Sequence, residues 1–160
     1  MKLLELYSSI QGEGPHAGEA TQFVRFAGCN LRCPGWPCDT QHAIQPALYK
    51  DVVENVSGAR IVRERLLPWP KHICLTGGEP LLQKEVEIEE FVQEARATGY
   101  SIECFTNGTQ PIPNWMLGRV QFMMDWKLSN SGDSMDHYLA TRTTNIARLN
   151  KRDGIKFVVA

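Results

Sequence analysis

The chain has 160 residues, 42% hydrophobic and 22% charged, which suits one globular domain over 1–160 with a buried core. Seventeen basic against eighteen acidic side chains leave a formal charge of -1, so there is no basic field to draw a nucleic-acid partner. No stretch approaches the roughly eighteen apolar residues of a membrane span; Met1-Lys2-Leu3-Leu4-Glu5 lacks a signal-peptide core, and five cysteines, three of them clustered, fit a reducing compartment, so a cytoplasmic location is expected.

Residues 2–7 form an apolar and aromatic run that predicts a first strand, broken at Ser8 and Ser9. Gln11-Gly12-Glu13-Gly14-Pro15 follows as a loop. Its glycines let backbone approach a ligand, and Gln11 and Glu13 could read a polar heterocycle; a solvated turn is the plainer reading. Residues 22–27 predict a second strand with Phe23 and Arg25 on one face and Val24 and Phe26 on the other. Arg25 is then either an edge charge or a bidentate reader of an anion.

Cys29-Asn30-Leu31-Arg32-Cys33-Pro34-Gly35-Trp36-Pro37-Cys38-Asp39-Thr40 places three cysteines inside ten residues, on a loop that a glycine and two prolines keep out of regular structure. Soft sulfur ligands suit an iron-sulfur cluster, zinc or copper(I). Three thiolates leave one iron of a cluster open to a small molecule. The alternative is a closed zinc knuckle with His42, Cys74 or Cys104 as fourth ligand, although both of those cysteines lie in apolar runs that read as buried strands.

Residues 41–46 read as irregular and 48–56 as a short helix. Ser57 caps a helix over 58–67 that Pro68 and Pro70 end. Residues 72–76 form a buried strand running into Gly77-Gly78-Glu79-Pro80, and the helix over 84–98 carries Ile88, Phe91, Val92 and Ala95 on one face. A strand over 100–105 ends in Thr106-Asn107-Gly108-Thr109. A helical turn at 113–117, a strand over 120–126 with Lys127 at its end, a helix over 134–150 and a strand over 155–159 complete the chain. A βαβ unit implies parallel strands with their carboxyl ends together, so the cysteine loop, both glycine turns and Asp125-Trp126-Lys127 are expected to meet in space.

With these motifs the sequence resembles the radical S-adenosylmethionine superfamily, through the cysteine loop and Gly77-Gly78-Glu79-Pro80. Within it the sequence resembles the 7-carboxy-7-deazaguanine synthases, through Ser9-Ile10-Gln11-Gly12-Glu13-Gly14, residues 23–31, Cys38-Asp39-Thr40 and Thr106-Asn107-Gly108-Thr109. The resemblance covers nearly the whole chain. It implies an α/β fold, a partial, open barrel shortened at the C-terminus. It also implies a [4Fe-4S] cluster on Cys29, Cys33 and Cys38, with S-adenosylmethionine chelated to the fourth iron. One electron would release a 5'-deoxyadenosyl radical that drives ring contraction of 6-carboxy-5,6,7,8-tetrahydropterin to 7-carboxy-7-deazaguanine with loss of ammonia, in queuosine and deazaguanine biosynthesis.

Residue by residue, the resemblance gives Pro37, Cys38, Asp39, Gly78, Glu79, Asp125, Trp126 and Lys127 to the cofactor. Ile10, Gln11, Gly12, Arg25 and Thr76 go to the pterin, and Thr40 to a magnesium ion. A flavodoxin or ferredoxin as electron donor and a homodimer are likewise implied. Three features depart from the family pattern: the spacing is C-x3-C-x4-C where C-x3-C-x2-C is usual, the stretch after Lys127 lacks the family's proline, and the chain stops at Ala160 inside a predicted strand. Two other classes fit the cysteines: an activase for a glycyl-radical enzyme, and a non-catalytic zinc- or cluster-binding module.

Overall fold

In the computed structural model, which describes residues 1–33, 38–49, 51–128 and 135–158, the chain runs through β1 (Lys2–Ile10), β2 (Ala20–Phe26), α1 (Gln41–Ile44), β3 (Glu54–Asn55), α2 (Gly58–Glu64) and β4 (His72–Gly77). It continues through α3 (Glu85–Ala97), β5 (Ser101–Thr106), β6 (Gln121–Lys127), α4 (Leu139–Arg148) and β7 (Gly154–Val158). The seven strands form one unclosed sheet in the order β3-β1-β2-β4-β5-β6-β7. β1 pairs antiparallel with β2 and β3, while every neighbour from β2 to β7 is parallel. This is the expected α/β architecture, an open partial barrel whose parallel strands end on one side.

Helix α3 forms where the sequence places it, because Ile88, Phe91, Val92 and Ala95 repeat at helical spacing and all four are buried. They pack with Ile61 and Val62 of α2 and with Ile73, Leu75, Ile102 and Cys104 from β4 and β5. The Ser57 hydroxyl caps α2 by accepting from Arg60 N at 3.3 Å. No helix among the described residues is long and apolar enough to cross a membrane.

Local propensity misleads in three places. Within 48–56, read as a helix, residues Glu54–Asn55 instead form strand β3, because the outer edge of β1 offers unpaired backbone groups: Asn55 lies opposite Lys2, and Val56 N donates to Met1 O at 3.0 Å. Within 41–46, read as irregular, a one-turn helix forms instead. The same competition extends β1 through Ser8 and Ser9, whose partners Gln22 and Thr21 continue the ladder.

Candidate active site

A cavity of about 540 Å³ opens at the carboxyl ends of the parallel strands. Its walls follow from register. Phe23 stands beside Cys74, Arg25 beside Thr76, Cys74 beside Glu103, Phe105 beside Met123, and Asp125 beside Lys156. Side chains alternate along a strand, so these rows face the cavity side of the sheet while Val24, Phe26, Leu75 and Cys104 pack the core behind it. Tyr7 of β1 stacks on Phe23 with ring centroids 5.2 Å apart. Glu5 lies opposite Arg25 and accepts from its Nε at 2.7 Å, and Tyr7 Oη accepts from its Nη2 at 3.1 Å, so two partners orient the guanidinium at the cavity wall.

The end of β4 is pressed against the backbone that leads into Cys29. Gly78 N donates to Phe26 O at 3.1 Å and Glu79 N to Gly28 O at 2.8 Å. A Cβ on Gly78 would stand 2.0 Å from Gly28 O, and Gly77 has φ +129°, so neither position accepts a side chain without moving the loop. Glu79 turns inward and is fully buried. Its Oε1 accepts from Thr106 Oγ1 at 2.7 Å and Leu81 N at 3.0 Å, and its Oε2 from Asn107 N at 2.7 Å. Burial pushes this carboxyl up to about 7, against the pull of those three donors. Asn107 Nδ2 in turn reaches Asn30 Oδ1 at 3.2 Å and Cys29 Sγ at 3.8 Å, and Asn30 Nδ2 donates to Thr109 Oγ1 at 2.8 Å. Both glycine turns are thereby clamped to the cysteine loop.

Across the cavity the groups are ionic. Lys127 Nζ lies 3.0 Å from Asp125 Oδ2, and Lys156 Nζ lies 3.2 Å from Asp125 Oδ1 and 2.8 Å from Glu13 Oε2.

A family model described as "4Fe-4S single cluster domain" matches residues 10–148. A 7-carboxy-7-deazaguanine synthase of Methanospirillum hungatei is 38% identical over 159 residues, which cover 99% of this chain and 61% of that one. Another, of Clostridium acetobutylicum, is 35% identical over 161 residues, covering 99% and 68%. The chain belongs to the 7-carboxy-7-deazaguanine synthase family. It spans about three fifths of the length of the Methanospirillum relative. The crystal structure of QueE from Escherichia coli shares the fold at a TM-score of 0.59 and 19% identity, over 98% of this chain and 84% of that one.

The donors fit the iron-sulfur cluster of this synthase family better than a single ion. Cys29, Cys33 and Cys38 all line the cavity. A closed zinc site asks for a fourth protein ligand, whereas a four-iron cluster on three thiolates leaves one iron open. The candidate fourth ligands are otherwise engaged. Cys104 is inside the core, His42 faces Glu5 at 3.6 Å, and the Cys74 thiol lies against Glu103 and Gln11 in the middle of β4. Burial pushes the Cys29 thiol up while the Leu31 N–H, 3.4 Å from its sulfur, pulls it down.

Among the residues expected at the cofactor, Cys38, Asp39, Gly78, Asp125 and Lys127 line the cavity. Glu79 lies behind it as the buried hub. Trp126 alternates to the opposite face, where the Arg142 guanidinium sits 4.2 Å from its ring centroid. Pro37 lies outside the described residues, as do Trp36 and 129–132. Among the residues expected at the pterin, Gln11, Gly12, Arg25 and Thr76 line the cavity. Ile10 has the opposite parity and is 61% exposed. Thr40 also lines it, donating to Asp39 Oδ1 at 3.3 Å. Lys156 and Asn107 were not among the expected site residues. Strand parity separates Lys156 from Phe157, but only the pairing of β7 with β6 sets it beside Asp125.

Proposed function

We propose that the chain converts 6-carboxy-5,6,7,8-tetrahydropterin to 7-carboxy-7-deazaguanine by ring contraction with loss of ammonia, acting from one domain over 1–160. The observation that carries this reading is that the cysteine loop and the polar residues Gln11, Arg25 and Thr76 share one cavity in a chain of this family. When bound, a [4Fe-4S] cluster on Cys29, Cys33 and Cys38 with S-adenosylmethionine supplies the one-electron radical chemistry.

The protein's part is to place the substrate and exclude water. The Gly77-Gly78 turn, with no side chain between it and the cysteine loop, leaves backbone to meet the methionine end of the cofactor. Asp125 and Lys127 frame the same site. Gln11, Gly12 and Thr76 hold the pterin ring. Arg25, oriented by Glu5 and Tyr7, has no partner on Nη1 among the described residues, and so offers that N–H to the substrate carboxylate.

Thr40 and Asp39 bring hard oxygens to the same cavity, which suits magnesium. The family resemblance supports the rest of the reading: magnesium at Thr40, a flavodoxin or ferredoxin donor, a homodimer and a cytoplasmic location. The test is anaerobic incubation of reconstituted protein with the carboxypterin, S-adenosylmethionine, magnesium and a reductant, followed by mass analysis. Formation of 7-carboxy-7-deazaguanine with no second protein present is expected. Cleavage of S-adenosylmethionine with the pterin unconsumed would overturn the assignment.

A further inference from the structure

Beneath the cavity floor, on the side away from the cysteine loop, three residues from separate segments converge. His16 comes from the loop between β1 and β2, His72 opens β4, and Glu103 lies within β5. One ligand-capable atom from each lies within 4.8 Å of the other two. The imidazole centroids are 4.1 Å apart, and His72 Nε2 is 3.4 Å from Glu103 Oε1.

The hydrogen bonding here is incomplete in a specific way. Glu103 is fully buried and His72 is 6% exposed. Glu103 Oε1 accepts from Gln11 Nε2, but Glu103 Oε2 and His72 Nε2 have no hydrogen-bond partner among the described residues. The Ser101 hydroxyl lies 2.8 Å from His72 Nδ1 and 3.3 Å from Lys71 O; when it donates to Lys71 O, its oxygen accepts the ring N–H. That tautomer turns a bare Nε2 lone pair toward a carboxylate. His16 differs in that both of its ring nitrogens already face acceptors. Its Nδ1 faces Glu19 Oε2 at 3.0 Å and its Nε2 faces Gln121 Oε1 at 2.9 Å, while the Gln121 amide N–H is committed to Arg152 O. Acceptors that face one another this way call for a positive group among them, either a proton on an imidazole or a metal cation.

We propose that His16, His72 and Glu103 bind one divalent transition-metal ion of the zinc, iron(II) or cobalt(II) class. Two imidazoles and a carboxylate are a donor set such ions take, and hydrogen bonds from the outer ring nitrogens to Ser101 and Glu19 orient metal-binding histidines in this manner. The ion neutralises the buried carboxylate. It also pins the loop that carries Gln11 and Glu13 to β4 and β5, tying a metal site at the base of the sheet to the wall of the cavity above. The His16 side chain is 23% exposed and gives the ion a way in.

The test is equilibrium dialysis of the cluster-reconstituted full chain against micromolar zinc, with iron and zinc counted separately by elemental analysis. The expected result is one zinc per chain in addition to a full complement of iron, and zinc affinity about 100-fold weaker or worse in His72→Asn and in His16→Gln. His16 lies on a partly exposed loop, so His16→Gln keeps the test valid if His72→Asn fails to fold. Cys38→Ser is expected to lose iron while keeping the zinc. Zinc that fails to bind the iron-loaded chain, or binds both histidine variants as tightly as the parent, would overturn the proposal and leave His72 and Glu103 sharing a proton.

Discussion

On the β2–β4–β5 side of the cavity, backbone contacts and a fully buried carboxylate hold the cysteine loop, whereas on the β6–β7 side four partly exposed charges hold one another. The first side is assembled from Gly28, Gly78, Glu79 and Asn107, each within a short motif. The second joins Glu13 to Lys156, which are 143 positions apart in the chain. Buried hydrogen bonds and close backbone approach are costly to disturb, whereas the ion pair of Lys156 with exposed Glu13 is screened by solvent. The two walls therefore differ in kind: a tightly bonded seat for the cysteine loop, and an ionic edge that joins segments distant in the chain.

The sharpest way to break this contrast is at the seat itself. Cys33→Ala is expected to abolish cluster binding and turnover while leaving the fold in place. Circular dichroism, iron content and product mass measure the three separately, and retained turnover would remove Cys33 from the site. Gly78→Ala comes next. A Cβ 2.0 Å from Gly28 O must push the β4 end off the cysteine loop, so we expect a loss of roughly 1–3 kcal/mol in urea unfolding together with reduced iron loading. Normal stability with full iron would show that the close approach is dispensable.

Glu79 sharpens the same side through pH. Its folded carboxyl titrates near 7 where the ordinary value is 4.5, so between those values the folded chain holds a proton that the unfolded chain has released. This contribution to stability is complete below about 4.5 and is lost as pH rises through about 7, on the order of 3 kcal/mol in all. Unfolding free energies of the parent and of Glu79→Gln, taken at steps across that window, should converge or diverge by this trend. Parallel curves would contradict it.

Smaller effects are expected from the cavity edge. Thr40→Ala should raise the magnesium needed for half-maximal turnover while S-adenosylmethionine cleavage persists, and an unchanged magnesium titration would take Thr40 out of the site. Lys156→Met should raise KM for the pterin more than it lowers kcat, with a smaller loss of stability than Gly78→Ala. A stability loss of several kcal/mol there would make the charged edge as rigid as the glycine seat.

The cysteine loop, the two glycine turns and the apolar face of α3 were legible in the sequence because each is written in consecutive or helically spaced residues. So was their meeting point, since parallel strands gather their carboxyl ends. Trp126, expected at the cofactor with its neighbours, turns its side chain to the opposite face because successive residues of a strand alternate. β3 was misjudged because a two-residue strand exists only through its partner.

The sequence alone thus determined where three cysteines cluster on one loop and where glycine was required, since those features are written within a few bonds of each residue. Only the tertiary structure decided that Glu79 is a buried hub, that Lys156 stands beside Asp125, and that His16, His72 and Glu103 meet. Those contacts depend on strand register, and register is set by the packing of the whole sheet.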